Sequence, residues 1–216
     1  MARVSPSILA ADFVNLERDI RDIEQNHADL IHVDVMDGSF VPNFSFGLPA
    51  LKAVRHVTNM PLDVHLMIER PIRYVERFVA AGADWLTIHM EADTQDSTLQ
   101  ALSMIRSMGC RAGLSLKPGT KAEEAEPYLT SCDLILVMTV QPGFGGQKFK
   151  EDMMPKLRAL RTRLDEVNPG CVLSVDGGVD LNTAPICRAS GAEILVTGSA
   201  YFKAADRAAY VRALQG

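Results

Sequence analysis

Eight short apolar, β-rich runs restrict what this chain can fold into more than any other feature. They read VSPSIL near residues 4–9, LIHVDVM near 30–36, LDVHLMI near 62–68, WLTIHM near 85–90, RAGLSL near 111–116, LILVMTV near 134–140, VLSVDG near 172–177 and ILVTGS near 194–199. Stretches with helical spacing lie between them. FVNLERDIRDIEQN follows Asp12, a candidate N-cap, and puts Leu16, Ile20 and Ile23 on one stripe. RPIRYVERFVAAGA opens on a first-turn proline and stops at Gly82. EDMMPKLRALRTRLDEVN aligns Met154, Leu157, Leu160 and Leu164, and DLNTAPICRASGA and AADRAAYVRALQG complete the set. Strand alternating with helix implies a parallel sheet with crossover connections. Eight such units predict an α/β fold, a (β/α)8 TIM barrel, as one domain over residues 1–216. The alternative is a doubly wound open sheet. No GxGxxG follows the first strand, and eight strands would make that sheet unusually wide.

A chain of 216 residues with 47% hydrophobic and 23% charged residues can bury a large core. Its net charge of −5 and lack of a basic run argue against a nucleic-acid partner. Cys110, Cys132, Cys171 and Cys187 show no CxxC spacing, so free, mostly buried thiols in a reducing cytoplasm are expected. The apolar stretch in MARVSPSILAADF is too short for a signal peptide, and no segment approaches the length of a membrane span.

The segment DLIHVDVMDGSFVPN carries a physical problem. Two residues apart on a buried strand, His32 and Asp34 leave the same face. A buried carboxylate costs several kcal/mol unless something pairs with it. In a barrel, polar groups gather where strands end on the C-terminal face. His32 and Asp34 end the second run, His65 the third and Asp176 the seventh, so all four can converge there. Two imidazoles and two carboxylates without thiolate suit a divalent metal such as Zn, Fe, Mn or Co. Its charge would compensate the buried acids. The competing account is four separately satisfied polar groups in the barrel core.

Glycine-rich loops follow the last three strands: QPGFGGQ at 141–147, DGGV at 176–179 and TGS at 197–199. Such loops let backbone N–H groups approach an anion, and barrels often bind phosphate there. Ser199 could add a hydroxyl donor. Met36, Met67 and Met138 share the inward parity; singly they suit core filling, together a water-excluding cover over a reactive intermediate. Ser7 either donates to a substrate or closes a turn after Pro6. His89, Lys117 and Asp63 are expected as supporting polar groups, and His27 and His56 as exposed helix residues.

SILAADF, HVDVMDGSFVPN, DVHLMI, KPGT, VMTVQPGFGGQKF, VDGGV and GSAYF, in this order over nearly the whole chain, resemble the ribulose-phosphate 3-epimerase family. The resemblance implies a phosphate-binding (β/α)8 barrel that interconverts D-ribulose 5-phosphate and D-xylulose 5-phosphate in the pentose phosphate pathway with a divalent metal. It implies His32, Asp34, His65 and Asp176 as metal ligands, Asp34 as proton acceptor and Asp176 as proton donor. Ser7 and His65 are implied as substrate contacts. Gly143, Phe144, Gly145, Gly146, Gly177, Gly178, Gly198 and Ser199 match segments that hold the phosphate. A homo-oligomer is expected, since family members oligomerise.

Ser39, Gln141 and the SFGLP segment depart from the usual pattern and leave room for a shifted sugar preference, since close relatives epimerise D-allulose 6-phosphate. A barrel decarboxylase or aldol-type synthase would carry D-x-K-x-x-D on the third strand. Here that strand reads DVHLMI, with histidine in the lysine's place. A non-catalytic sugar-phosphate-binding barrel would have no use for two acid/base carboxylates.

Overall fold

A computed structural model describes residues 1–216. Eight parallel strands form one sheet in the order β1-β8-β7-β6-β5-β4-β3-β2. The strands are β1 (Arg3–Pro6), β2 (Ile31–Met36), β3 (Leu62–Met67), β4 (Trp85–His89), β5 (Arg111–Leu116), β6 (Leu134–Met138), β7 (Val172–Asp176) and β8 (Ile194–Thr197). The ring closes between β1 and β2 through Asp29 N and Leu30 N donating to Val4 O at 3.0 and 3.2 Å, and through a bridge from Ser7 to His32. The helices are α1 (Leu16–Gln25), α2 (Leu48–Val57), α3 (Val75–Ala80), α4 (Gln95–Ser107), α5 (Met154–Val167), α6 (Ala184–Ala189), α7 (Ser199–Lys203) and α8 (Arg207–Gln215). The fold is the expected single-domain (β/α)8 barrel, and the open sheet is excluded.

Several boundaries differ from the sequence-based expectation. Asp12 caps a single 3-10 turn (Phe13–Asn15), its carboxylate accepting from Val14 N at 3.1 Å, and α1 begins after it. Helices α2 and α4 lie in connections where helical spacing is weak: α2 opens on Gly47-Leu48-Pro49, and α4 on the polar run Thr94–Thr98. The β5–β6 crossover is a 3-10 stretch, Ala122–Ser131, with Pro127 inside it. Proline has no N–H to give an α-helical turn, so the chain coils more tightly there.

Parity divides the buried residues into two layers. Ile31, Val33, Val35, Val64, Leu66, Leu86 and Ile88 belong to the large cluster between strands and helices. The opposite parity fills the barrel. On its β6–β8 side the interior is mostly apolar, with Leu134, Leu136, Met138, Val172 and Ile194 clustered with Leu30 and Trp85, and Ser174 buried among the strands. On its β1–β4 side it is polar, with Ser5, Ser7, His32, Asp34, Asp63, His65, Thr87 and His89 all buried. Gly113 on β5 makes room for this layer, since a Cβ there would stand 2.2 Å from Thr87 Oγ1.

At the opposite end of the strands the chain repeats one device four times. Asp29, Asp84, Asp133 and Glu193 each stand just before an even-numbered strand. They accept the N–H of Val4 (2.7 Å), Leu62 (2.8 Å), Ala112 (2.9 Å) and Leu173 (3.4 Å) on the neighbouring odd strand. Each acid is gripped from a helix by Gln215 (3.0 Å), Arg55 (2.9 Å), Arg106 (3.6 Å) or Arg161 (3.1 Å) respectively. The segments HADLIHV, GADWLTI, SCDLILV and GAEILVT carry it. Arg55 is the most heavily engaged, also donating to Thr58 O and to Met60 O at 2.8 Å. Hydrogen bonds from a charged donor contribute about 1.5–3 kcal/mol. Arg55→Ala should therefore lower unfolding free energy by about 2–3 kcal/mol, and Arg106→Ala by under about 1 kcal/mol, in denaturant titrations. Equal losses would refute the ranking.

Candidate active site

A cavity of about 870 Å³ opens at the C-terminal ends of the strands. Ser7, Asp34, Met36, Met67, Met138, Asp176, the glycines of the β6, β7 and β8 loops, Phe144 and Ser199 line it. His32 and His65 lie fully buried beside Asp34. His32, Asp34 and His65 sit inside their strands rather than at the ends, because β2 and β3 continue to Met36 and Met67. Asp34 and His65 are thus set one inward-facing layer below the rim and His32 one layer deeper, while Met36 and Met67 occupy the rim layer and Asp176 ends β7.

Strand register brings the cluster together. Asp34 pairs with His65, His32 with Asp63, and Met36 with Met67, while Met138 pairs with Asp176 on the far side. His32 Nε2 stands 3.3 Å from Asp34 Oδ1 and 3.9 Å from Asp176 Oδ2. His65 Nδ1 stands 3.3 and 3.8 Å from the same two oxygens. Ser7 Oγ donates to the other Asp34 oxygen at 2.5 Å. Asp63 accepts from His32 Nδ1 at 2.7 Å, and this fixes the ring with Nε2 toward the cluster.

One donor atom from each of His32, Asp34, His65 and Asp176 lies within 4.8 Å of the others. Ligand atoms on bonds of about 2.0–2.1 Å to a tetrahedral ion are about 3.3 Å apart, close to the shorter separations here. His32 Nε2 is buried without a hydrogen-bond partner, which a buried nitrogen does not normally tolerate. The chemistry of the donor set, its spacing and this orphaned nitrogen all fit a metal ion.

The two carboxylates are not electrostatically equivalent in the metal-free protein. Burial pushes the Asp34 carboxyl up, but His32 and His65 outweigh it and hold the group far below the usual carboxylate range. Burial, reinforced by the Asp34 charge, pushes Asp176 up to about 6. Burial pulls His32 down, yet Asp34 and Asp63 together raise it well above an ordinary histidine. One acid is therefore held ionised while its partner retains a proton more readily.

The glycine loops differ among themselves. Gly178 has φ of +67°, and a Cβ there would stand 2.7 Å from Phe149 N. Gly145 and Gly146 face open space, where an added Cβ would meet nothing within 4 Å. Asn43 Nδ2 donates to Gly143 O at 2.8 Å and ties the β6 loop to the β2 loop. Thr139 Oγ1 donates to Asp176 O at 2.9 Å and Gly177 O at 2.6 Å, which joins the β6 and β7 loops.

His89 and Asp63 contact the two cluster histidines, His89 Nε2 meeting His65 Nε2 at 2.9 Å. Lys117 lies instead over the Phe40 ring, its Nζ 3.7 Å from the centroid. His56 is exposed on α2, but His27 follows the end of α1 in a turn with φ of +60°. All four cysteines are free and buried. The sequence reading passed over Glu91, whose Oε2 lies 3.1 Å from His89 Nδ1. Its one signal was its position two residues beyond an inward histidine. It also passed over Lys148, Asn182 and Thr183, which line the cavity from loops without regular periodicity, and Lys203, which lines it from the end of the short helix α7.

Fold and cluster define a class: a (β/α)8-barrel protein with two histidines and two aspartates, able to hold a metal ion, at the mouth of its strands. The family model described as the ribulose-phosphate 3 epimerase family matches residues 3–202. The chain belongs to the ribulose-phosphate 3-epimerase family. It is 45% identical over 217 residues to ribulose-phosphate 3-epimerase of Bacillus subtilis, covering 100% of this chain and 99% of that protein. It is 45% identical over 213 residues to that of Synechocystis, covering 99% and 91%. Among solved structures, 3-keto-L-gulonate-6-phosphate decarboxylase of Vibrio cholerae superposes with a TM-score of 0.75, covering 100% of this chain and 96% of that one. At 14% identity this likeness concerns the fold alone. No helix is long and apolar enough to cross a membrane.

Proposed function

We propose that this protein interconverts D-ribulose 5-phosphate and D-xylulose 5-phosphate by moving the proton at C3, with a divalent cation (Zn, Fe, Mn or Co) held by His32, Asp34, His65 and Asp176. The observation that carries this is the convergence of Asp34 and Asp176, from strands on opposite sides of the mouth, on one buried donor set. Inverting a centre next to a ketone needs a base on one face of a planar enediolate and an acid on the other. Asp34 takes the proton from C3, and Asp176 returns one to the opposite face; in the reverse direction they exchange roles. A divalent cation held by these four residues would supply Lewis-acid stabilisation of negative charge next to them.

The remaining residues bind, orient and exclude water. Ser7 holds Asp34 from below and presents its hydroxyl to the sugar. His65, beside Asp34, is the second side chain assigned to substrate contact. Met36, Met67 and Met138 cover the reacting carbons and keep solvent from protonating them. Backbone N–H groups of Gly143, Phe144, Gly145, Gly146, Gly177, Gly178 and Gly198, with the Ser199 hydroxyl, orient the phosphate. The same reading gives a sugar phosphate as small-molecule partner, with no nucleic acid, no membrane and a homo-oligomeric state. It places the protein in the cytoplasm, in keeping with buried free thiols and a 41% identical rice relative named as a cytoplasmic isoform.

The test is elemental analysis of the purified protein coupled to a ribulose 5-phosphate assay before and after chelation. About one divalent ion per chain is expected, with activity lost on its removal and restored by one of the four ions. Full turnover by metal-free protein would sink the proposal. Rates on D-allulose 6-phosphate measured alongside decide the sugar preference.

A further inference from the structure

We propose that Glu91 is a positioning residue that determines, through His89, which nitrogen of His65 is free to hold a cation. The inference rests on the metal reading above and extends it to a residue outside the cluster. His65 turns Nδ1 toward Asp34 Oδ1 at 3.3 Å and Asp176 Oδ2 at 3.8 Å, and Nε2 toward His89 Nε2 at 2.9 Å. His89 Nδ1 faces Glu91 Oε2 at 3.1 Å. The other Glu91 oxygen accepts from Lys117 N at 2.8 Å and from the Thr120 hydroxyl. Both imidazoles are fully buried, and the Phe40 ring covers His89 with centroids 4.8 Å apart.

Once a cation takes the place of the 3.3 Å contact between His65 Nδ1 and Asp34 Oδ1, counting protons along the rest of the row leaves one arrangement. A carboxylate only accepts, and an uncharged imidazole carries one N–H and one bare nitrogen. Glu91 therefore takes the His89 Nδ1 proton as a hydrogen bond, which leaves His89 Nε2 as an acceptor. The short contact between the two Nε2 atoms holds a single proton, and it belongs to His65. His65 Nδ1 is then bare and faces the cluster. His32 is oriented directly, because Asp63 accepts from its Nδ1 and leaves Nε2 toward the cluster. The two histidines are thus set by two carboxylates, one in contact and one acting across a second ring.

The direction of this row can be reversed by one atom. In Glu91→Gln the Lys117 backbone N–H still needs an acceptor, so the amide oxygen stays with it and Thr120. The amide N–H₂ then faces His89 Nδ1. His89 must accept there and donate from Nε2, which moves the His65 proton onto Nδ1, the cation-facing atom. Glu91→Ala removes the bias without reversing it.

Full-length protein labelled with ¹⁵N-histidine, metal-free and with Zn²⁺, reports the protonated nitrogen of His65 by NMR. Competition against a chelator reports Zn²⁺ and Co²⁺ affinity, and thermal unfolding reports the fold. With Zn²⁺ bound, wild type should show the proton on Nε2. Metal-free Glu91→Gln should show it on Nδ1, donating to Asp34, and bind both cations about 10- to 100-fold more weakly, with Glu91→Ala between the two. A packing role alone gives the opposite ranking, since glutamine matches glutamate in shape and alanine leaves a gap. Glu91→Gln with an unchanged His65 tautomer, or binding cations more tightly than Glu91→Ala, would overturn the proposal. Wild-type protein that takes up neither cation would overturn the metal reading instead, and the nitrogen spectra then decide the relay on their own.

Discussion

Asp176→Asn is expected to lower epimerase turnover at least about a thousandfold while leaving the fold intact, because positioned acid/base groups contribute about 10²–10⁴ in rate and this one is also a candidate metal ligand. The amide removes both the exchangeable proton and one anionic donor. Asp34, across the mouth, retains its contacts with Ser7, His32 and His65. Such a variant, supplied with excess cation in deuterated water, should still wash the C3 hydrogen out of D-ribulose 5-phosphate faster than it forms D-xylulose 5-phosphate. One base can take and return a proton on its own face, but inversion needs the other. Asp34→Asn should lose both processes from that epimer. Wild-type product should carry solvent deuterium at C3. Near-normal turnover by either variant, or product that keeps its original C3 hydrogen, would eliminate the two-carboxylate scheme.

Gly178→Ala should damage binding more than chemistry. A methyl there would stand 2.7 Å from Phe149 N and 2.9 Å from its Cα, backbone atoms that cannot swing aside. The backbone angle of +67° adds about 1–3 kcal/mol for any L side chain. The β7 loop must shift, and with it the N–H groups assigned to the phosphate. The expected result is a lower thermal midpoint and a KM raised more than about tenfold, with kcat changing less. Gly145→Ala is the contrasting case, since no atom lies within 4 Å of its added Cβ. It should melt like wild type, and any rise in KM would report contact with the phosphate itself. Unchanged stability and KM in Gly178→Ala would mean that the β7 loop does not build the anion cradle.

The recurring apolar runs and their parity made much of this legible beforehand. A strand turns alternate residues to opposite faces, so HVDVM and DVHLM commit histidine and aspartate to the side away from the helices. Helix α4 was harder to see because its first turn is polar and its stability comes from Thr98, Ala101, Leu102 and Ile105 packed on the sheet. The Asp29, Asp84, Asp133 and Glu193 device was visible only as four acids near strand starts, which surface charges imitate.

By itself, then, the sequence determined the strand count, the inward set of residues and the glycine loops at the strand ends, since these follow from local stereochemistry and periodicity. Only the tertiary structure decided how closely Asp34 and Asp176, far apart in the chain, approach one another and that their protonation tendencies are opposed. It alone decided that Glu91 reaches His65 through His89. Register between strands and the low-dielectric interior create those distances and charges, and neither is a property of any short segment.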